Sequence, residues 1–87
     1  MTNNIEEAKN LYNECKKHIG KTYPYDNGLI YEHGKPVAIT INHVEIDQVF
    51  IGVLVYDQIT FEDGYQSEPN SYCICGEGLL QIANKVN

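Results

Sequence analysis

The spacing of apolar residues at the start of the chain predicts an amphipathic helix over about residues 4–19. The apolar positions that recur at steps of three and four are Ile5, Ala8, Leu11, Tyr12, Cys15 and Ile19. Such steps place side chains on one helix face. Thr2, Asn3 or Asn4 can cap the start, and Gly20 can end the helix. We therefore expect a helix with one face for burial.

After a predicted loop at residues 23–28 the period of the apolar residues changes, which predicts strands. Residues 29–32 and 37–46 are expected to pair around a tight turn at His33-Gly34. Because proline cannot donate a backbone hydrogen bond, Pro36 indicates that one of these strands lies at a sheet edge. The side chains of the second strand that we expect in the core are Val37, Ile39 and Ile41.

Residues 49–56 are apolar on both faces, which predicts a central strand that is covered on both sides. The N-terminal helix can cover only one side. A dimer partner, the C-terminal segment or a strongly curved sheet could cover the other, and we favour a homodimer.

The remaining segments complete a single α+β domain over residues 1–87. Residues 59–62 are predicted to extend to a turn at Asp63-Gly64, and residues 71–75 form a last strand. Residues 79–86 fit a short C-terminal helix, although a strand also fits. The expected fold is an N-terminal amphipathic helix packed on a four- to five-stranded antiparallel sheet, with this short helix at the C-terminus.

Charge changes the picture because it is distributed unevenly. The 87 residues include 12 acids, six lysines and no arginine, which gives a net charge of -6. Residues 37–84 contain no lysine and carry the acids Glu45, Asp47, Asp57, Glu62, Asp63, Glu68 and Glu77. Such a segment attracts basic partners or cations and repels phosphate, so direct nucleic-acid binding is disfavoured.

The apolar runs and the cysteines bear on cellular location. The longest apolar run, residues 49–55, is far shorter than the roughly 20 residues that span a membrane, and the N-terminus is polar and acidic. We expect a cytoplasmic protein without a membrane partner. Three cysteines cannot all pair within one chain, so reduced thiols are expected. Cys73 and Cys75 would share one strand face, and we expect them to be buried.

Two residue sets have the right types for a metal site. His43, Glu45 and Asp47 alternate along a strand, although they supply a single histidine and also fit a solvated strand face. The second set, with buried thiols as the alternative, is Cys15, His18, Cys73 and Cys75.

Motifs for catalysis are missing from the sequence. No serine or cysteine stands in the turn chemistry that activates a nucleophile. Gly76-Glu77-Gly78 is not a phosphate loop, because no lysine follows at the required spacing. We therefore predict a protein that is not an enzyme and that needs no cofactor or metal.

Tyrosines in or next to the predicted loops indicate a binding surface, because a ring with a polar tip suits an interface. Packing over loop backbone is their alternative role. Together with nearby acids they define a predicted partner-binding face. Its residues are Tyr23, Tyr25, Glu45, Asp47, Glu62, Asp63, Tyr65 and Tyr72.

The leading hypothesis is a small acidic interaction protein that docks on a basic, nucleic-acid-binding surface of another protein and inhibits it. By analogy of class, such proteins are common among phage and mobile-element counter-defence proteins. The alternative is a small-ligand binder with a tyrosine-lined pocket at a dimer seam, where Asn27, Asn42 or Asn70 contacts a metabolite or nucleotide. A metal-dependent hydrolase on His43, Glu45 and Asp47 is a third hypothesis.

Overall fold

Two helices cover one face of an antiparallel sheet. The computed structural model describes residues 5–49, 51–70 and 72–85. The elements are α1 (Ile5–Cys15), a 3-10 turn (Lys16–His18), β1 (Thr22–Pro24), β2 (Pro36–Asp47), β3 (Gly52–Phe61), β4 (Tyr72–Cys75) and α2 (Gly76–Asn84). Within this described part, the four strands lie in the order β1-β2-β3-β4, and all neighbours are antiparallel. The predicted α+β fold, including the short C-terminal helix, is confirmed.

The N-terminal helix forms as predicted but tightens at its end. The 3-10 turn follows α1 directly, Ile19 is already extended, and Gly20 then adopts a positive φ of 88°. Ala8 and Cys15 are buried, whereas Ile5 and Ile19, at the ends of the apolar stripe, are each 45% exposed. The predicted caps at residues 2–4 lie outside the described residues.

The first strand lies where the sequence predicted a loop. β1 pairs with β2 from Thr22 opposite Thr40 to Pro24 opposite Ala38. The hydroxyls of the two threonines add a side-chain hydrogen bond of 2.8 Å. β1 is therefore defined by its partner strand rather than by an apolar pattern of its own.

The prediction of a strand at residues 29–32 is wrong. Tyr31 and Gly34 exchange two backbone hydrogen bonds across a turn, and Leu29 and Ile30 are 56% and 75% exposed. Gly34 has a φ of 93°, which residues with a side chain rarely adopt. Turn geometry therefore overrides the β-forming character of this apolar segment.

Bulges in β2 change which side chains enter the core. Ile39 and Ile41 are buried as predicted, but Val37 is 45% exposed and Pro36 is buried instead. The cause is a register shift between Pro36 and Ala38. The edge expectation is also wrong, because β2 lies between β1 and β3, and β1 ends before it reaches Pro36.

The central strand begins later than predicted and is covered on one side. β3 starts at Gly52, and Val49 is 82% exposed in the preceding turn. Burial then alternates along the strand, and the half-buried side chains Leu54 and Tyr56 lie on the face away from the helices. The expected covering of both faces is therefore wrong for the single chain, and the homodimer stays a prediction.

The two cysteines of β4 are exposed, so the expectation that they are buried is wrong. Cys73 lies opposite Tyr56 and Cys75 lies opposite Leu54, on the sheet face that the helices leave open. Cys15, by contrast, belongs to the buried core.

Neither helix within the described residues has the length and apolar character that crossing a membrane requires.

Candidate functional site

A carboxylate occupies a core position in the middle of β3. The buried side chains of this strand are Val53, Val55, Asp57, Ile59 and Phe61. Strict alternation forces Asp57 to point the same way as its apolar neighbours. Asp57 lies between Ile41 on β2 and Tyr72 on β4, and its exposed fraction is 0%. An ionisable side chain thus occupies a position in the hydrophobic core.

The Asp57 carboxylate has no compensating contact within the described residues. Both of its oxygens are buried and lack a hydrogen-bond partner. Burial raises the pKa of Asp57 from 3.8 to about 6, so the group is still mostly ionised at pH 7. A shift of this size corresponds to about 3 kcal/mol of lost stability for the ionised form. Buried unpaired carboxylates are rare and are more frequent at functional sites.

Asp57 lines a pocket of about 140 Å³ on the sheet face that carries the helices. Four of its walls are aromatic rings: Tyr25, Tyr31, Phe61 and Tyr72. The other lining residues are Asn27, Pro36, Ile59, Cys73 and Ile74. A small, mostly apolar pocket with one charged group has the composition of a ligand site.

One wall of the pocket is fixed by the loop that follows β1. The backbone N–H of Tyr25 donates to the carbonyl of Val37 at 3.0 Å, so Tyr25 continues the pairing with β2. The Tyr31 hydroxyl accepts from the Asn27 amide at 2.9 Å, and the Tyr31 ring meets Phe61 edge-on at 5.6 Å. These contacts hold two tyrosines over the sheet in defined positions.

The opposite wall is fixed by the segment before β4. The Ser67 hydroxyl accepts from the Ile59 N–H, and the Ser67 N–H donates to the Ile59 carbonyl, both at 2.9 Å. The chain then leaves β3 and returns where the N–H of Asn70, at a positive φ of 63°, donates to the Asp57 carbonyl. This detour precedes Tyr72, which is 38% exposed at the pocket.

The chemistry of the pocket favours binding of a cation. The negative faces of aromatic rings attract positive groups, and an ion pair over about 6 Å contributes about 3 kcal/mol at an effective dielectric of about 20. Burial, and to a smaller extent Asp57, raise the pKa of Tyr25, so its hydroxyl stays protonated. Burial also raises the pKa of the Cys73 thiol, which points toward the open face of the sheet.

A wider groove of about 510 Å³ lies beside the pocket and shares Tyr25 and Pro36 with it. Its apolar wall includes Val37 and Ile82. The charged residues along the groove are Asp26, Lys35, Glu62 and Lys85. The pocket and the groove are therefore neighbouring cavities.

The predicted partner-binding residues divide among several places. Tyr25 and Tyr72 line the pocket, and Glu62 lines the groove. Asp63 and Tyr65 gather around His33: the Asp63 carboxylate lies 2.8 Å from Nδ1, and the Tyr65 ring stacks on the imidazole at 3.8 Å. This second group belongs to the same end of the sheet as Glu62.

The other three predicted residues lie elsewhere. The Tyr23 hydroxyl hydrogen-bonds to Nδ1 of His18 on the helix side. Glu45 lies on the open sheet face, where it contacts His43 at 3.2 Å and accepts from Tyr56 at 3.3 Å. The Asp47 carboxylate accepts from the backbone of the next turn. Asp47 and Glu62 flank opposite ends of the β2–β3 hairpin, about 30 Å apart at the rise of a strand.

The residues considered for metal binding do not converge. Cys15 is buried and its thiol donates to the carbonyl of Gly76 at 3.5 Å, whereas Cys73 and Cys75 are exposed on the open face. In the segments 5–49, 51–70 and 72–85, no three side chains of histidine, cysteine, aspartate or glutamate are placed to share a metal ion.

Sequence reasoning missed Asp57 as a site residue and counted it only among the acids of the second half. Asp57 could have been recognised from the alternation along β3, because an acid occupies the third position in a series of alternating apolar residues. A charged side chain in the buried phase of a strand is the strongest local departure from this pattern.

Comparison of the chain with protein-family models, curated proteins and solved structures finds no match.

Proposed function

We propose that the protein is a small acidic, non-catalytic interaction protein that binds a basic surface of another protein. The observation that carries the proposal is the Asp57 carboxylate, buried without a partner in a pocket with aromatic walls. A cationic partner supplies the positive charge that the described part of the chain does not place there. The net charge of -6 and the absence of lysine and arginine from residues 37–84 support attraction to such a surface.

The proposed consequence of binding is inhibition. A basic surface that normally binds nucleic acid uses its cations to contact phosphates. An acidic protein on the same surface competes for these cations, as a cytoplasmic counter-defence protein of a phage or mobile element would. The proposal includes no reaction: burial raises the pKa of Tyr25, so this pocket hydroxyl stays protonated.

A second candidate function is the binding of a free small cation. The observation that favours it is that the 140 Å³ pocket is formed within one chain and does not require a second protein. Such a ligand would stay with the protein in native mass spectrometry, and its affinity would depend weakly on salt. A protein partner held by surface charges would instead be lost as ionic strength rises.

The proposed function is tested by affinity purification from the native host, followed by affinity measurements with the purified basic partner. Two variants remove equal charge at the two ends of the hairpin: Glu62→Gln with Asp63→Asn, and Glu45→Gln with Asp47→Asn. Amides keep an oxygen that accepts hydrogen bonds, which preserves the contact from the Asp63 carboxylate to the Tyr65 N–H.

We expect the Glu62 and Asp63 pair to lower affinity about tenfold at low ionic strength, because Glu62 lines the groove beside the pocket. The Glu45 and Asp47 pair should have a smaller effect. Unchanged affinity with all four residues replaced would overturn the electrostatic basis of the proposal. Recovery of a retained small cation without any protein would favour the second candidate.

A further inference from the structure

We propose that the pocket beside Asp57 is a receptor for one alkylammonium group, the side chain of a lysine on the basic partner. This inference rests on the proposed function and names the group that the pocket accepts. It concerns Asp57, in the middle of β3, and not the acids on the surface.

The first argument is charge. Asp57 is fully buried, both oxygens lack partners, and its neighbours across the sheet are Ile41 and Tyr72. A buried anion that no cation of the described chain approaches is stabilised by any cation that enters from outside. The other titratable side chains on the pocket walls, Tyr25, Tyr31 and Tyr72, carry no positive charge, so none of them supplies that charge.

The second argument is shape, which separates ammonium from guanidinium. A guanidinium pairs best with a carboxylate that presents both oxygens side by side. Both Asp57 oxygens lie beneath the pocket surface, so this paired contact is blocked. A compact ammonium is attracted by the field of the carboxylate and by the ring faces without that geometry. The butylammonium part of a lysine occupies roughly 100 Å³ at protein packing density, which fits a pocket of about 140 Å³.

The third argument concerns the rest of the ligand. The walls contain Pro36, Ile59 and Ile74, apolar side chains against which a methylene stem can lie. The 510 Å³ groove shares Tyr25 and Pro36 with the pocket and offers space for the backbone next to the lysine. A free amine would leave this groove unfilled, so the shape of the surface favours a lysine within a protein.

The experiment uses four probes: n-butylammonium, n-butanol, and the peptides acetyl-Gly-Lys-Gly-amide and acetyl-Gly-norleucine-Gly-amide. Binding is followed by amide chemical shifts of the full chain. The variants are Asp57→Asn, which removes the buried charge, and Glu6→Gln, which removes an exposed charge on α1. Both variants are first shown to keep the wild-type pattern of dispersed amide signals.

We expect n-butylammonium to bind with a dissociation constant of about 1 mM, the range open to so small a ligand. The lysine peptide should bind at least fivefold more tightly, and Asp57→Asn should weaken both at least tenfold. Glu6→Gln should change neither. The uncharged probes should not shift the signals of the pocket residues.

Three results overturn the inference, and the first one separates it from the proposed function. If neither cation binds while the basic partner still does, the pocket is not the receptor and the proposed function stands. If the lysine peptide binds no more tightly than n-butylammonium, the site is one for free amines. Binding that Asp57→Asn leaves unchanged would assign the cation to surface acids.

Discussion

The thiol of Cys15 donates to the carbonyl oxygen of Gly76 at 3.5 Å and joins the last turn of α1 to the first turn of α2. The two helices approach so closely here because Gly76 has no side chain. A Cβ at this position would lie 3.0 Å from the Val53 Cβ and 3.1 Å from both the Cys15 sulfur and a Leu11 methyl. Gly76 therefore sets the distance between the helix pair and the sheet.

Gly76→Ala is expected to destabilise the fold by about 2 kcal/mol, because the added methyl overpacks a closed seam. Gly78 in the same helix is the matched control, since a Cβ there would meet only the Cys75 sulfur, at 3.4 Å. Gly78→Ala should be neutral or stabilising by up to about 1 kcal/mol through helix propensity. Urea unfolding of the three proteins measures both effects, and equal stability of the two variants would contradict the close contact.

Asp57→Asn is expected to stabilise the protein in a pH-dependent way. The folded-state pKa of about 6 lies above the reference value of 3.8, so between these values the folded state binds more protons than the unfolded state. Wild-type stability from this group is present below pH 4 and is lost as pH rises through about 6. The variant should therefore gain about 3 kcal/mol over wild type at pH 8 and almost nothing at pH 4.

The measurement is the difference in the free energy of unfolding between the two proteins at pH 4, 6 and 8. The pKa of His18 is lowered, chiefly by burial, so its contribution to stability increases with pH, opposite to that of Asp57. This contribution cancels in the difference because both proteins contain His18. Glu6→Gln provides the control for loss of an exposed charge. A difference that does not change with pH would mean that Asp57 is not held in an unfavourable environment.

The three thiols should differ sharply in reactivity. Burial, followed by nearby acids, raises the pKa of Cys15 to about 11, and the sulfur is out of contact with solvent. Cys73 and Cys75 are exposed. With iodoacetamide at pH 8, Cys73 and Cys75 should be modified in the folded protein, and Cys15 only after unfolding. Peptide mass spectrometry after timed labelling reads out each site, and early modification of Cys15 would show that the helix seam opens readily.

Tyr23→Phe is expected to cost about 1 kcal/mol of stability, because it removes the hydroxyl that hydrogen-bonds to Nδ1 of the half-buried His18. This bond ties β1 to the 3-10 turn after α1. The chemical shift of the His18 ring, followed by NMR, should also change between the two proteins. Equal melting temperatures and unchanged imidazole signals would mean that the contact contributes nothing.

Some elements were predictable because local and long-range signals agree. In α1 the acids of the first turn, the apolar stripe and the glycine that follows at position 20 all favour the same helix. Residues 29–32 show the opposite case. The residues there have high β-propensity, but the chain bends into turns instead. The Gly28 and Leu29 N–H groups donate hydrogen bonds to the side-chain oxygens of Asp26 and Asn27, which stabilise these turns.

The candidate site was predictable only in part. Tyr25 and Tyr72 were expected in binding, because rings near loops suit interfaces, and both line the pocket. Tyr31 and Phe61 reach it through contacts across more than twenty residues of sequence, which no local pattern encodes. Asp57 could be recognised from the alternation of side chains along β3. The bulges of β2, however, change which of its side chains share the same face, and the sequence does not predict these bulges.

The strand order also determines how the folded state is reached and kept. Each strand pairs with its neighbour in the chain, whereas the contact between Cys15 and Gly76 joins positions 61 residues apart. Because closing a long loop is entropically costly, we expect the β2–β3 hairpin to form in the folding transition state and α1 to dock afterwards. Kinetic studies should give a high φ-value for Ile59→Val and one near zero for Ala8→Gly. The lifetime of the folded protein would then be governed by the seam between its two helices, which could be tuned without slowing folding itself.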